Sequence, residues 1–167
     1  MQFLAPNAYH SARHAVLRIA MNDYQQIQHL IARYCLLADR GSADEIAATF
    51  WDDAALLFGR RSRNDGVENI RLGLQKWIEK MRDPVVGLRH LAHPPAIEID
   101  GDRATAETYY DADGHSRKRR WPIHLRGVYR DRLEKRGGEW RFVERHIVIM
   151  DSTLEDLPAL ELDSRAS

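Results

Sequence analysis

The sequence predicts an α+β domain, with helical segments first and long strands after them and no alternation between the two. Apolar residues recur at helical spacing up to about residue 81, and the period changes to two from residue 88. Tight hairpin signals then join the later segments, as in an antiparallel meander. A sheet of that length must curl or cover one face. The expected architecture is a curved antiparallel sheet wrapped around N-terminal helices, a cone with one apolar pocket at its open end.

Residues 1–21 read as an irregular N-terminal arm. Asn22 is a fitting N-cap, with Gln25 three residues on to complete a capping box. Tyr24, Ile27, Ile31, Tyr34, Cys35 and Ala38 then form one helical stripe, which ends near Gly41. Ser42 caps a short second helix with Ile46, Ala47 and Phe50 on one side. An apolar strand follows from Ala54 to Phe58, and Asn64-Asp65-Gly66 signals a turn. The third helix runs from Val67 to Met81 with Ile70, Leu74, Trp77 and Ile78 on its apolar side, and Asp83-Pro84 ends it. Strands are expected over 88–100, 103–112, 121–136 and 139–150, with turns at Asp100-Gly101-Asp102 and Arg136-Gly137-Gly138. Between the second and third of these lies a polar tip. The domain is therefore expected over 22–151, with an acidic, loosely packed tail at 152–167.

Composition narrows the function. Lys plus Arg and Asp plus Glu both total 25 in 167 residues, so the net charge is zero. A nucleic-acid or anionic-membrane binder would carry a basic excess, so neither partner is expected. Near-neutral charge favours self-association instead. With one cysteine, Cys35, neither an internal disulfide nor a thiolate metal cluster can form. No apolar run approaches the roughly 18 residues of a membrane span, and the first residues lack a clean secretory pattern, which makes a cytoplasmic location the expectation. A glycine-rich phosphate loop, a Walker motif and a Gly-x-Ser-x-Gly elbow are all missing, so no nucleotide cofactor is expected.

A pocket needs polar groups converging inside an apolar wall. Asp39 follows Leu36, Leu37 and Ala38, so its carboxylate either finds a partner, such as a histidine across the pocket, or makes local turn bonds with Gly41 and Ser42. His90 and His93 are three apart on a strand, so they point to opposite faces and one of them sees the pocket. No Cys, Asp or Glu cluster joins them at ligand spacing, and no metal site is expected. Arg145 and His146 are adjacent on the last strand, so one faces in and the other out, and spacing does not say which. Trp51, Phe58, Trp77, Tyr110 and Trp121 are core or pocket wall. The run Arg117 to Arg120 reads as a solvated hairpin tip.

The segments IQHLIARYCLLADRGSADEIAATFWDDAAL, LRHLAHPPAIEIDGDRATAETYY and RGVYRDRLEKRGGEWRFVERHIV resemble, in content and order, SnoaL-like and scytalone-dehydratase-like domains of the nuclear transport factor 2 superfamily. The resemblance covers about residues 22–151 and implies a cystatin-like α+β barrel. In the dehydratase and dehydrochlorinase branch, an Asp at the end of the first helix orients a His on the following long strand. Asp39, just before the turn, matches the first, and His90, eight residues before Glu98, matches the second. Tyr34 matches a Tyr five residues before the Asp, and Arg145 is nearest to an Arg that recurs on the final strand. The resemblance thus implies a cofactor-independent lyase or isomerase acting on a small hydrophobic cyclic compound. Catalytic roles fall on Asp39, His90, Tyr34 and Arg145, and pocket contacts on Trp51, Phe58, Trp77, His93, Tyr110 and His146. It also implies a homodimer or homotrimer. The alternative is a non-catalytic binding or assembly module like the β subunits of ring-hydroxylating dioxygenases.

Overall fold

The computed structural model describes residues 21–60 and 62–153. The expectations for the N-terminal arm up to residue 20 and for the tail beyond 153 lie outside the described residues. Helix α1 (Asp23–Arg40) begins at Asn22, whose side chain accepts from the Gln25 N–H while Gln25 reaches back to the Asn22 N–H. Helix α2 (Ala43–Ala47) starts with the same reciprocal cap between Ser42 and Glu45. Each cap satisfies amide donors that the first turn leaves free. Strands β1 (Phe50–Phe58) and β2 (Ser62–Asp65) follow, then α3 (Val67–Trp77) and a π-helical turn (Ile78–Arg82). The sheet continues with β3 (Val85–Ala92), β4 (Ala96–Asp100), β5 (Arg103–Ser116), β6 (Pro122–Arg136) and β7 (Glu139–Ser152). Among the described residues no helix is long and apolar enough to cross a membrane.

The seven strands form one curved, unclosed sheet in the order β2-β1-β7-β6-β5-β3, with β4 also paired to β5. The predicted meander is present, but the sheet is mixed: β1 lies parallel to β7, with Ala55 beside Glu144 and Phe58 beside Ile147. The stretch expected as one strand over 88–100 is two, β3 and β4, both paired to β5. Pro94 and Pro95 separate them, since neither can donate to a ladder. Strand β2 stands where only a turn was expected, and its residues pair Asn64 with Leu56 and Ser62 with Phe58.

Helix α1 packs Ile27, Leu30, Ile31, Tyr34, Cys35 and Ala38 into the concave side of the sheet. There they meet Phe50, Tyr129, Leu133 and Phe142 in one core. Arg145 lies in the middle of this core and, like Asp131 opposite it, has no exposed side-chain surface. The two make a bidentate pair, Nε to Oδ1 at 2.8 Å and Nη2 to Oδ2 at 2.7 Å. The guanidinium is also sandwiched by rings, 4.1 Å from the Tyr34 centroid, 4.3 Å from Tyr129 and 4.0 Å from Phe142. Burial pushes the Asp131 carboxyl above its ordinary range, against the pull of Arg145. Burial likewise pushes the Tyr34 hydroxyl up to about 12.

Breaking one side of a buried pair leaves the other charge uncompensated. Arg145→Met is therefore expected to lower the unfolding free energy by about 3–5 kcal/mol. The double variant Arg145→Met/Asp131→Leu is expected to recover most of that loss, and urea denaturation of the two variants beside the parent checks both. The Tyr34 hydroxyl gives a second prediction. Below pH 10 folded and unfolded chains both keep its proton, whereas between 10 and about 12 only the folded chain does, so stability falls across that window. Tyr34→Phe is expected to remove about 2–3 kcal/mol of this alkaline loss. Tyr110 and Tyr129, also raised by burial, retain theirs. Denaturation at the two ends of the window measures it.

Candidate functional site

The open end of the cone holds a cavity of about 380 Å³, within the roughly 300–1,000 Å³ of small-molecule sites. Its wall is largely apolar: Leu56 and Phe58 from β1, Leu74, Trp77 and Met81 from α3 and the turn after it, and Ile123, Leu125, Ile147 and Ile149 from β6 and β7. Strand alternation explains the last four, since Ile123 and Leu125 share the inward parity of Tyr129 and Leu133. Tyr34, Tyr110 and Tyr129 also reach the wall. Tyr110 and Tyr129 stack face to face at 4.1 Å.

Asp39 lies in the last turn of α1, where the negative end of the helix dipole disfavours a carboxylate. Donors from β3 compensate. The His90 backbone N–H reaches Oδ1 at 3.0 Å and Oδ2 at 3.2 Å, and His90 Nδ1 lies 2.6 Å from Oδ1. The helix end is secured further by Arg82, whose Nη1 donates to the Gly41 carbonyl at 2.5 Å. Both side chains of the pair are largely buried, 11% exposed for His90 and 13% for Asp39. A carboxylate on Nδ1 holds the proton there and leaves Nε2 as the basic nitrogen. Nε2 makes no hydrogen bond with any described residue, and the imidazole lines the cavity. Trp77 and Tyr110 flank it, with ring centroids 6.5 and 6.3 Å away.

The structure thus brings Asp39, His90 and Tyr34 to one place, and puts Phe58, Trp77 and Tyr110 on the cavity wall. It does not bring the other predicted residues there. Arg145 faces inward but lies in the core under Tyr34, where Asp131 takes its Nε and Nη2 and rings cover its face. His146 takes the opposite face, and its Nε2 donates to the Gly59 carbonyl at 2.9 Å. His93 is on the outer face of the sheet, half-exposed, with Nε2 2.7 Å from Asp111. Trp51 is held away from the cavity by a hydrogen bond to the Glu134 carbonyl and by the guanidinium groups of Arg136 and Arg141 over its ring. Sequence reasoning missed Asn64, Lys76, Lys80 and Tyr129, all of which line the cavity. For Tyr129 the signal was available in its even spacing from Ile123 and Leu125. Among the described residues no three His, Cys, Asp or Glu side chains come together as a metal-ligand set.

The comparisons with known proteins agree with this architecture. A cystatin-like protein of unknown function from Nostoc punctiforme superposes with a TM-score of 0.66 at 24% identity, over 78% of this chain and 93% of that one. A candidate scytalone dehydratase from Novosphingobium aromaticivorans gives a TM-score of 0.74 at 22% identity, over 86% and 94%. A hexachlorocyclohexane dehydrochlorinase gives 0.66 at 20% identity, over 77% and 86%. No functionally curated protein matches the sequence. The SnoaL-like domain model matches residues 20–146, and by that match the chain belongs to the SnoaL-like family.

Proposed function

We propose that this protein is a cofactor-independent lyase or isomerase that removes a proton from carbon in a small, hydrophobic, cyclic substrate. The observation that carries the proposal is the 2.6 Å contact between His90 Nδ1 and Asp39, which leaves Nε2 unengaged beside an apolar cavity. His90 Nε2 takes the proton as general base. Asp39 fixes the tautomer and offsets the charge of the imidazolium that forms. The electron pair of the broken C–H bond passes either into an adjacent carbonyl, giving an enolate, or out through a leaving group on the next carbon. Tyr34, protonated throughout the neutral range because burial raises its hydroxyl to about 12, supplies a hydrogen bond to the oxygen that gains charge. Arg145 takes no direct part, since its donors stay in the core. The likeness to a scytalone dehydratase candidate and to a dehydrochlorinase supports elimination chemistry in particular.

An assembly module, the alternative reading, has no need of a hollow or of an imidazole poised on a carboxylate, so this geometry favours catalysis. Hydrogen–deuterium exchange at the carbon acid of 2-tetralone, a bicyclic ketone, tests proton abstraction without knowledge of the natural substrate. The wild-type protein is expected to accelerate the exchange, followed by NMR, above the buffer rate. His90→Ala is expected to lose about 10²–10⁴-fold of that acceleration while keeping its melting temperature, and Asp39→Asn part of it. Exchange that persists undiminished in a folded His90→Ala variant would overturn the reading.

A further inference from the structure

Asn64 lines the same cavity, and the chemistry above does not use it. Alternation along β2 turns Ser62 and Asn64 toward the cavity and Arg63 and Asp65 away from it, where Arg63 pairs with Asp65 at 2.8 Å and with Glu144 at 3.6 Å. The Asn64 carboxamide makes no hydrogen bond with any described residue. The residue is partly buried, and an amide without a protein partner on an apolar wall is free to bond a ligand that enters.

Gly73 makes the room for it. A Cβ at position 73 would lie 2.8 Å from Asn64 Oδ1, 3.0 Å from its Cγ and 3.1 Å from its Nδ2, closer than packed atoms tolerate. Residue 73 is inside α3, where glycine is less favourable than alanine by about 1 kcal/mol. Helical backbone does not call for glycine, so what the missing side chain provides is the seat of the carboxamide. One turn further along α3 comes Trp77, whose ring flanks His90 at 6.5 Å. Gly73, under the carboxamide, and Trp77, beside the base, are thus four residues apart on one helix, about 6 Å of rise.

We propose that Asn64, seated over Gly73, is the substrate's second polar anchor and that it selects oxygenated rings. Its amide N–H donates to a carbonyl or hydroxyl oxygen on the ring whose C–H faces His90. This rests on the proposed proton abstraction and narrows its substrate class: a cyclic ketone or alcohol, in preference to a hydrocarbon or a ring bearing only halogens.

Calorimetric titration with 2-tetralone and with tetralin, the same skeleton without the oxygen, tests it independently of turnover. The wild-type protein is expected to bind the ketone about five- to tenfold more tightly, the worth of one neutral hydrogen bond. Asn64→Leu and Gly73→Ala are both expected to cut that preference several-fold, with tetralin binding intact and the hydrogen bond from Tyr34 left to account for the remainder. Gly73→Ala should do so without loss of melting temperature, because alanine favours the helix, a combination that a merely structural role for Gly73 does not produce. A preference that survives undiminished in Asn64→Leu overturns the proposal, and so does a wild-type protein that binds the two ligands equally or binds neither. If exchange fails in the wild type while the ketone preference depends on Asn64, proton abstraction is wrong and the anchor stands.

Discussion

A guanidinium buried without water holds this fold in place. Arg145 and Asp131 have no exposed side-chain surface, so neither charge reaches bulk solvent, and each depends on the other. Their strands are neighbours: Asp131 on β6 is paired with Arg145 on β7. The pair therefore locks the middle of the sheet in one register, because a slip of one strand by one residue would turn one charge to the opposite face and leave the other alone in the core. Three rings then close over the guanidinium, and one of them, Tyr34, belongs to α1. Through that ring the position of the helix on the sheet is tied to the buried cation. Five residues later the same helix ends at Asp39, so the placement of the carboxylate beside β3 follows from the packing beneath Tyr34.

Among the described residues, two largely buried acid–base pairs are of opposite character. In the deep pair every strong contact is internal, and the aromatic walls leave no room for a ligand, which makes it an element of structure. In the shallow pair the carboxylate is saturated by donors from His90, but the imidazole is not saturated in return, and its second nitrogen borders open space. The difference between a structural ion pair and the reactive one proposed lies there, in whether the base keeps an unengaged lone pair, and not in the residue types. Both sit in apolar surroundings, where charge interactions are stronger than in water. In the shallow pair that strength acts on whatever charge develops on the imidazole.

Much of this was legible in the chain. Caps at Asn22 and Ser42, the stripe of α1 and the hairpin turns name their elements directly, because each is a local signal with a local cause. The Asp39–His90 contact was reached through family resemblance, since spacing alone left Asp39 free to bond its own turn. What stayed hidden was non-local or two-valued. Adjacent residues on a strand face opposite ways, so Arg145 and His146 could not be assigned until β7 was placed between β1 and β6. Asp131, the partner that decides the role of Arg145, looks in sequence like one more charge in a run of alternating charges. Trp51 reads as wall, but cations from β6 and β7 claim its ring on the outside. Asn64-Asp65-Gly66 carries a strong turn signal, which masked the short strand that aims Asn64 inward.

Glycine carries the last part of the site, and it does so by what it omits. Gly41 brings the chain out of α1 within 2.8 Å of the Leu37 carbonyl, measured from where a Cβ would stand, and so lets the helix stop at Arg40, one residue after Asp39. Gly73 leaves a notch in the wall that faces the cavity, and the notch is filled by the carboxamide of a different element. Both residues act on polar groups that they do not contain. The apolar wall sets only the size of what can enter, because dispersion and hydrophobic contact have no direction. Orientation must come from the few hydrogen-bonding groups that line it, among them Tyr34, His90 and Asn64 and the lysines at positions 76 and 80. A cavity of this kind can change its substrate by shifting one small residue while its scaffold, secured around Arg145, is left untouched.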